Sequence, residues 1–451
     1  MKIILEANES VLAILRRFLK KDGCSRWLHY CVQTQVEDGV LVFNALTREL
    51  IHLTTEEYCH CMDLDFLKER WFLVPEETKE KEFADFVKLV LNSRRKKSNE
   101  ITGYTIFPTT DCNARCFYCF ELGRSRIPMT DEIAVKVAKY IEDHCGDKKV
   151  NISWFGGEPL YNMRAIEIIC SELRSKGVEY ASRMVSNGYL FNDEIVLKAT
   201  EQWNLRQVQI TLDGTEKIYN KTKAFIYKDS NPYEIVMCNI GRLLDAGIHV
   251  TIRLNMDLYN AEDLLALAEE LAKRFAGRKF LSVYAHHLFK TDVPMAQMHT
   301  DEEWEKRDVA MQRLTDCLIR NGLSAKAGIS RHIKVNFCKA DSGKSVTILP
   351  DGNIGLCEHF SESEFIGHID RDGFDSETVT RWKETMPEIP ECAECFYLLD
   401  CVKLKNCPSG RDCYRQYRQE RFRNVQQKML CSYERWKTHS LNDEDNDNDD
   451  C

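Results

Sequence analysis

The stretch DCNARCFYCFE, residues 111–121, places Cys112, Cys116 and Cys119 within eight residues. Three thiolates this close can bind zinc together with a fourth ligand, or three irons of a [4Fe–4S] cluster. A structural zinc site usually closes with a fourth Cys or His in a paired knuckle, and no such residue lies near this stretch. The motif therefore predicts a site left open at one metal position, which suits chemistry at the metal.

A strand–helix repeat surrounds this motif. Segments of helical periodicity, such as residues 131–145, separate the strand-like runs. The apolar, β-rich runs are residues 104–109, 150–157, 182–187, 206–214, 249–256 and 280–287. Six such units predict a parallel α/β sheet, open or curled into a partial barrel.

Unusual residues lie where these strands end. Gly156-Gly157-Glu158-Pro159 ends the second strand, Ser186-Asn187-Gly188 the third and Asp213-Gly214 the fourth, while Arg253 and Asn255 lie late in the fifth. The carboxyl ends of parallel strands share one face, where such folds place their active sites. We therefore expect these loops to meet the three thiols, although for 186–188 a plain turn is nearly as good an explanation.

The composition narrows the setting. The 451 residues carry a net charge of −9 and no long apolar run. We therefore expect a cytoplasmic protein with neither a membrane nor a nucleic acid as partner. Twenty cysteines in a chain without a secretory signal favour metal ligation over disulfides. Three lie at 112–119 and eight between Cys338 and Cys431, and most of the others are expected to be buried or unreactive.

The motif Cys112-x3-Cys116-x2-Cys119, with Tyr118 before the third cysteine, resembles the signature of radical S-adenosylmethionine (radical SAM) enzymes. The resemblance implies one [4Fe–4S] cluster, S-adenosyl-L-methionine cleaved to a 5′-deoxyadenosyl radical, and an electron donor such as flavodoxin or ferredoxin. Gly156-Gly157-Glu158-Pro159 also resembles the family's motif that holds the methionyl amino group, for which Glu158 can supply an anion. A carboxylate suits a guanidinium fork, so Arg253 is the candidate for the cofactor's carboxylate, although it could instead pair with Asp213. The expected cofactor-binding residues are Tyr118, Gly156, Gly157, Glu158, Pro159, Ser186, Asn187, Asp213 and Arg253.

The C-terminal cysteines closely resemble the SPASM extension of radical SAM enzymes, which carries two auxiliary [4Fe–4S] clusters. The resemblance assigns Cys338 and Cys357, with Cys407 or Cys413, to the nearer cluster. The residues assigned to the farther cluster are Cys392, Cys395, Cys401 and Cys431. Five residues separate Cys401 from Cys407 where the family usually has three, so the choice between Cys407 and Cys413 stays open. A pair of zinc ribbons is the alternative.

Residues 1–95 predict a small α+β domain with a hairpin around residues 37–39. It resembles, more weakly, the winged-helix-like domain that binds precursor leaders by strand addition; a ligand-free capping domain is the alternative. The fold class is thus an α/β protein with a partial (β/α)6 TIM-like barrel, an N-terminal winged-helix-like domain and a Cys-rich C-terminal auxiliary-cluster domain. The predicted boundaries are 1–95, 101–290 for the barrel, 291–330 for a helical connector, 331–436 for the SPASM domain and 437–451 for a disordered acidic tail.

This domain order resembles maturases of ribosomally made peptides. The resemblance implies a precursor peptide with a leader as partner and a crosslink as product, with a thioether as first choice. Carbon–carbon crosslinking and formylglycine formation are alternatives. For formylglycine formation Glu358 would stand where relatives carry a catalytic aspartate. His359, His286 and His287 are further candidates, more readily explained as structural. The hypothesis from another class is a non-catalytic iron–sulfur scaffold that binds peptide.

Overall fold

A computed structural model describes residues 1–18, 23–93, 100–119, 121–288, 300–325, 327–333, 338–358, 364–385, 387–401, 405 and 415–446. For residues 92, 301, 341, 415–417 and 439–446 it describes the backbone alone. Cys407, Cys413, Cys451 and His359 lie outside the described residues, so the structure gives no account of them. Within those ranges no disulfide joins the cysteines, and no helix is long and apolar enough to cross a bilayer.

The N-terminal unit is built on a four-stranded antiparallel sheet of order β1-β5-β4-β3. Its elements are β1 (Lys2–Leu5), α1 (Glu9–Leu15), β2 (Cys24–Trp27), β3 (Cys31–Val36), β4 (Gly39–Asn44), β5 (Glu49–Leu53), α2 (Thr55–Cys59), α3 (Asp65–Glu69), β6 (Leu73–Pro75) and α4 (Glu80–Ser93). The predicted hairpin is present, with Val36 paired to Gly39. Residues 73–75 pair with β2 as a short antiparallel strand.

The central sheet contains six parallel strands in chain order, as the strand–helix repeat predicts. Its elements are β7 (Gly103–Ile106), α5 (Asp131–Cys145), β8 (Val150–Trp154), α6 (Met163–Ser175), β9 (Tyr180–Ser186), α7 (Asp193–Glu201), β10 (Leu205–Leu212), α8 (Glu216–Lys223), α9 (Pro232–Asp245), β11 (His249–Met256), α10 (Ala261–Arg274) and β12 (Leu281–His287). The α/β class with a parallel sheet is therefore confirmed, whereas closure into a partial barrel stays a prediction.

Alternation along the strands separates the core from a polar face. In β10, Val208, Ile210 and Leu212 are fully buried in the core that the helices cover. The intervening side chains, Gln207 and Gln209, line a cavity on the opposite face. Because neighbouring side chains of a strand point to opposite faces, one strand supplies both the core and the site.

The C-terminal part extends the same sheet. Its elements are α11 (Asp301–Arg320), α12 (Lys339–Ser342), β13 (Ser345–Ile348), β14 (Asn353–Gly355), β15 (Gly367–His368), α13 (Ser376–Lys383) and α14 (Arg415–Asn446). Strand β13 pairs in parallel with β7, and β14 and β15 follow antiparallel, which gives nine strands in all. Helix α14 continues to Asn446, so the structure differs from the predicted disordered tail over residues 437–446.

The N-terminal unit and the C-terminal part share one hydrophobic core. Leu398, Leu399, Met429 and Tyr433 are buried among N-terminal side chains. The N-terminal members of this core include Leu41, Phe43, Leu50, Trp71 and Val74. The hydroxyl of Tyr30 donates a hydrogen bond of 2.9 Å to the carbonyl of Ala393, and Arg48 forms an ion pair with Asp400. Burial of this kind is the main stabilising term in a core, so the two parts stabilise each other.

Candidate active site

The carboxyl ends of the parallel strands surround a cavity of about 450 Å³. Loops that are far apart in the chain supply its wall. The expected site residues that line it are Cys112, Cys116, Tyr118, Cys119, Gly156, Gly157, Ser186, Asn187, Arg253 and Glu358. Glu158, Pro159 and Asp213 do not line it, and their positions behind the wall change what they can do.

Gly156 and Gly157 pack directly against the start of the cysteine loop. The Gly157 amide donates a hydrogen bond of 3.1 Å to the Thr109 carbonyl, and a Cβ on Gly157 would lie 2.1 Å from the Asp111 carbonyl oxygen. Gly156 has a φ of +120°, and its Cβ would lie 2.3 Å from the Thr109 oxygen. Only residues without a side chain permit this approach, so the two glycines set the position of the loop that carries the thiols.

Glu158 is completely buried behind that loop. Its carboxylate accepts hydrogen bonds from the Ser186 hydroxyl at 2.9 Å, from the Asn187 amide at 2.8 Å and from the Leu160 amide at 3.2 Å. Burial raises the pKa of this carboxyl to about 7. The structure thus gives Glu158 a role in joining two strand ends, and places the backbone of Gly156 and Gly157, not this carboxylate, at the cavity wall.

A buried triad fixes the aromatic ring before the third cysteine. The Tyr118 hydroxyl donates to both Asp213 oxygens at 2.9 Å, and the Lys223 ammonium donates to the Tyr118 oxygen at 2.9 Å and lies 3.0 Å from Asp213. Burial alone would lower the pKa of Lys223, but the adjacent Asp213 carboxylate raises it well above its usual value. Asp213 therefore acts on the cavity through Tyr118 and Lys223, which both line it, and its cation is Lys223 rather than Arg253.

Arg253 and Asn255 line this cavity, and each has a buried polar atom without a hydrogen-bond partner among the described residues. One terminal guanidinium nitrogen of Arg253 lies 3.2 Å from Nδ1 of His286. Its Nε is buried and has no hydrogen-bond partner within the described ranges, and the same holds for Oδ1 of Asn255. A buried polar atom without a partner costs about 1–3 kcal/mol, so a donor and an acceptor left in one cavity wall fit a polar ligand.

The three thiols are partly buried and lie among polar groups. The Ala114 amide donates to the Cys112 sulfur at 3.3 Å, and the Asn187 side chain lies 3.7 Å from it. Burial, with Glu158 nearby, raises the pKa of the Cys112 thiol to about 12, and burial also raises the pKa of Cys116 and of Cys119. Metal binding would have to displace these protons. Across the residues that the structure describes, no three His, Cys, Asp or Glu side chains are grouped to hold a metal ion.

The C-terminal cysteines fall into two locations. Cys338 and Cys357 lie against the core of the central sheet, on either side of the β13–β14 hairpin. Cys392 and Cys395 pack against the shared core of the N-terminal unit. Cys401 follows the same loop, and Cys431 is buried on α14 between Met429 and Tyr433 of that core. Cys338 and Cys357 therefore lie apart from the other four described C-terminal cysteines, and the assignment of cluster ligands stays a prediction.

Glu358 reaches the cavity together with a lysine. It forms an ion pair with Lys339, whose ammonium also donates to Thr105 at 2.9 Å and to Thr347 at 3.3 Å. The Cys357 sulfur lies 3.8 Å from a Glu358 oxygen. The pairing of β13 with β7 brings this group to the first strand of the central sheet. His287, in contrast, is buried beside Trp304 and Asp308 and does not line the cavity.

Several cavity residues were not among those expected from the sequence. They are Glu121, Arg183, Gln207, Gln209, Lys223 and Lys339. Glu121 is buried, one of its carboxylate oxygens has no partner among the residues that the structure describes, and burial raises its pKa to about 7. The alternating polar positions of RQVQITL, residues 206–212, were a readable signal for the glutamines. No local pattern marked Lys223, because a lysine in the last turn of a helix is ordinarily a solvated residue.

Residues 106–271 match the Radical SAM superfamily. The resemblance of the cysteine motif to radical SAM enzymes is thereby confirmed: these residues form a radical SAM domain, and the protein is an enzyme. The auxiliary-cluster extension is not tested by this match and stays a prediction.

Among curated proteins, the radical SAM cyclopropyl synthase TigE of Paramaledivibacter caminithermalis is 27% identical over 172 residues, which are 31% of this chain and 36% of that protein. The chain thus matches about a third of this relative's length. A GTP 3′,8-cyclase of Clostridium perfringens is 24% identical over 319 residues, which are 66% of this chain and 93% of the cyclase.

Two solved structures share the fold. The enzyme anSMEcpe with bound AdoMet superimposes with a TM-score of 0.54 and 16% identity, covering 75% of this chain and 95% of that one. Streptococcus suis SuiB bound to its precursor peptide SuiA gives a TM-score of 0.52 and 11% identity, covering 85% and 98%. At these identities the likeness concerns the fold alone.

Proposed function

We propose that the protein is a radical SAM peptide maturase that cleaves S-adenosylmethionine and installs a crosslink, with a thioether as first choice, in a ribosomally made precursor peptide. One observation carries the proposal. Three thiols line one cavity together with Arg253 and Asn255, each of which has a buried polar atom without a partner in the described part of the chain. That combination suits a metal cluster beside a polar, carboxylate-bearing ligand.

The residue types lining the cavity fit the cofactors, although the three thiols are not grouped around one metal position in the described structure. Cys112, Cys116 and Cys119 would hold a [4Fe–4S] cluster, and the open face of their loop would admit S-adenosylmethionine. When bound, this pair supplies one-electron cleavage of the sulfonium bond and so a radical able to abstract hydrogen from a substrate. Arg253 would bind the carboxylate of S-adenosylmethionine through its guanidinium, whose Nε has no other partner.

The residue expected from the sequence to contact the amino group of S-adenosylmethionine is not the one that the cavity wall offers. Glu158 already accepts three hydrogen bonds behind the cavity wall, so its carboxylate is not placed to meet a ligand. The backbone at Gly156 and Gly157 faces the cavity instead, and carbonyl oxygens accept hydrogen bonds from an ammonium group. Glu158 would then act as a positioning residue that holds the end of β9 against the end of β8.

The two groups of C-terminal cysteines would hold the auxiliary clusters. Cys338 and Cys357, with Cys407 or Cys413, would serve the cluster nearer the cavity, since Glu358 next to Cys357 lines that cavity. The residues for the farther cluster would be Cys392, Cys395, Cys401 and Cys431, which lie beside the N-terminal unit. A flavodoxin or ferredoxin would serve as electron donor.

A peptide substrate is supported by the N-terminal unit. Its four-stranded sheet ends in edge strands β1 and β3, and a peptide that adds a strand needs such an edge. The Gln426 side chain donates to the Gln33 carbonyl of β3 at 3.2 Å, so helix α14 already occupies part of that edge. Strand β1 is the alternative docking edge for a leader. SuiB, which shares the fold, binds the precursor peptide SuiA, and this agrees with the proposal.

The test measures nucleoside and peptide in one anaerobic reaction. We expect the purified, reduced protein to convert S-adenosylmethionine to 5′-deoxyadenosine. Arg253→Gln should abolish most of this conversion, while the matched surface control Arg278→Gln, which loses an exposed pair with Asp245 and a hydrogen bond to the Gly241 carbonyl, should not. Cys357→Ala should still make 5′-deoxyadenosine but little crosslinked peptide. Wild-type crosslinking by Cys357→Ala with reduced iron content would show that the auxiliary cluster is structural.

The position of Glu358 favours formylglycine formation as the second candidate function. Its carboxylate lines the cavity, as a base for oxidation of a substrate cysteine or serine would have to. An aldehyde product would react with a hydrazide probe, whereas a thioether would not and would instead block alkylation of a cysteine. Hydrazide labelling of the treated peptide therefore separates the two functions.

A further inference from the structure

A second cavity, of about 430 Å³, lies at the other end of the same strands. Its wall comes from the beginnings of β7, β8, β9 and β10. It adjoins the active-site cavity, because Thr105, Ser153, Arg183, Gln207 and Lys339 line both. We call it the lower cavity; none of the roles assigned above uses it.

The charges in the lower cavity have one sign. Arg183, Arg206 and Lys339 line it, and no aspartate or glutamate does so among the described residues. Lys339 is neutralised by Glu358. Arg183 and Arg206 are exposed, and within the described part of the chain neither forms an ion pair with a carboxylate. Two guanidinium charges in a concave site create a positive potential that attracts anions.

The two arginines lie on neighbouring strands. Arg183 of β9 is in register with Gln207 of β10, and Arg206 directly precedes Gln207 where the pairing shifts register. Adjacent strands are about 4.8 Å apart, which is close enough for two guanidinium groups to bind one anion. The contact that Arg183 makes is weak: its Nε lies 3.3 Å from the Ser153 hydroxyl, which leaves its two terminal nitrogens available for the fork that a carboxylate prefers.

The lining is polar enough to hold a peptide segment. Asn151, Ser153 and Gln207 supply amide and hydroxyl groups beside the two arginines. A solvated arginine on a surface would need no such surroundings, whereas a binding site for an extended chain needs donors and acceptors for its backbone. The shared lining also places the lower cavity beside the active-site cavity, at a separation suited to adjacent residues of one peptide.

We propose that the lower cavity binds a carboxylate of the substrate. An acidic residue of the peptide supplies this carboxylate while a neighbouring residue of the peptide lies in the active-site cavity. This inference rests on the proposed function and adds a specificity rule to it: the modified segment carries an Asp or Glu next to the site of modification. Arg183 binds the carboxylate through both terminal nitrogens, and Arg206 adds a second charge.

The test uses arginine reactivity, so it can be scored even if the protein does not cleave S-adenosylmethionine. Anaerobically purified protein is treated with phenylglyoxal, and the modification rate of each arginine is followed by mass spectrometry. The probes are N-acetyl-L-glutamate N′-methylamide for an acidic side chain, N-acetylglycine for a terminal carboxylate, inorganic phosphate, and N-acetyl-L-glutamine N′-methylamide as the neutral control.

We expect the glutamate probe to slow modification of Arg183 and Arg206 and not that of Arg278, which lies outside both cavities. Protection by N-acetylglycine instead would overturn the acidic side chain in favour of a chain terminus. Stronger protection by phosphate would point to a nucleotide ligand and would also overturn the proposal. Equal protection by the glutamine control would show that charge is not recognised.

Variants test whether the two arginines form one site. In Arg183→Gln, loss of a charge-assisted fork should weaken binding of the glutamate probe about tenfold, which would be measured as reduced protection of Arg206 from phenylglyoxal. Arg183→Lys should retain part of the protection, because it keeps the charge but not the fork. Undiminished protection of Arg206 in Arg183→Gln would overturn the shared site. Circular dichroism of both variants confirms that they fold.

Discussion

Substitution of Gly157 by alanine tests the link between glycine packing and the position of the thiols. The added Cβ would lie 2.1 Å from the Asp111 carbonyl oxygen and 2.7 Å from that of Thr110. Both obstacles are backbone atoms, so no side chain can rotate away. Relief requires the loop to move by about 1 Å next to Cys112, and a displacement of that size can cost about a hundredfold in rate. Overpacking of this kind also costs about 1–3 kcal/mol of stability.

We therefore expect Gly157→Ala to lower the rate of 5′-deoxyadenosine formation by about two orders of magnitude, to reduce bound iron and to shift the denaturation midpoint downward. The matched control is Gly241→Ala in α9, where an added Cβ meets nothing within 4 Å and the helix should gain about 0.5–1 kcal/mol. Wild-type iron content and rate in Gly157→Ala would refute the argument that this close approach positions the cluster loop.

Three further predictions concern charge, protons and the shared core. Lys223→Met leaves Asp213 buried without its cation, so the free energy of unfolding should fall by about 3–5 kcal/mol. The double variant Lys223→Met/Asp213→Asn should recover part of this loss. Unfolding in guanidinium chloride measures both. The pKa of Glu158 is raised from 4.5 to about 7 in the folded protein, so between these pH values the folded state holds a proton that the unfolded state has lost. In the metal-free protein this difference stabilises the folded state at low pH. The stabilisation is lost as the pH rises from 4.5 to about 7. Glu158→Gln should remove this part of the pH dependence, and parallel stability curves for the two proteins would contradict the assignment. Leu399→Ala should cost about 2–5 kcal/mol, whereas Leu89→Ala, at a position that is 66% exposed, should cost less than about 0.5 kcal/mol; equal losses would refute the shared core.

Regular elements were readable from the sequence because their signals are local. Helix α5 begins and ends where the periodicity of residues 131–145 does, since Thr130 caps its first turn and Gly146 follows its last residue. The six parallel strands carried apolar runs flanked by helical segments. Strand β13 carried no such information about its partner: four residues, SVTI, can pair with any edge, and only the tertiary fold places them beside β7.

The sequence predicts which strand ends form the site, but it does not predict how the atoms of the site are arranged. The sequence shows that Glu158 follows two glycines, yet the burial of its carboxylate depends on Ser186 and Asn187, which approach from another strand. Lys223 belongs to the site because Asp213 and Tyr118 surround it, and both are distant in sequence. Roles that rest on long-range contacts need the fold before they can be assigned.

The shared core has a consequence for biosynthesis. The N-terminal unit leaves the ribosome first, but its core is closed by Leu398, Leu399, Met429 and Tyr433, more than 300 residues later. At about 5–20 residues per second this delay lasts tens of seconds, during which an apolar surface stays exposed on the nascent chain. A chaperone would have to cover that surface, and loading of the cluster that we propose at Cys392 and Cys395 would follow release. Expression yield should therefore depend on the chaperone supply of the host.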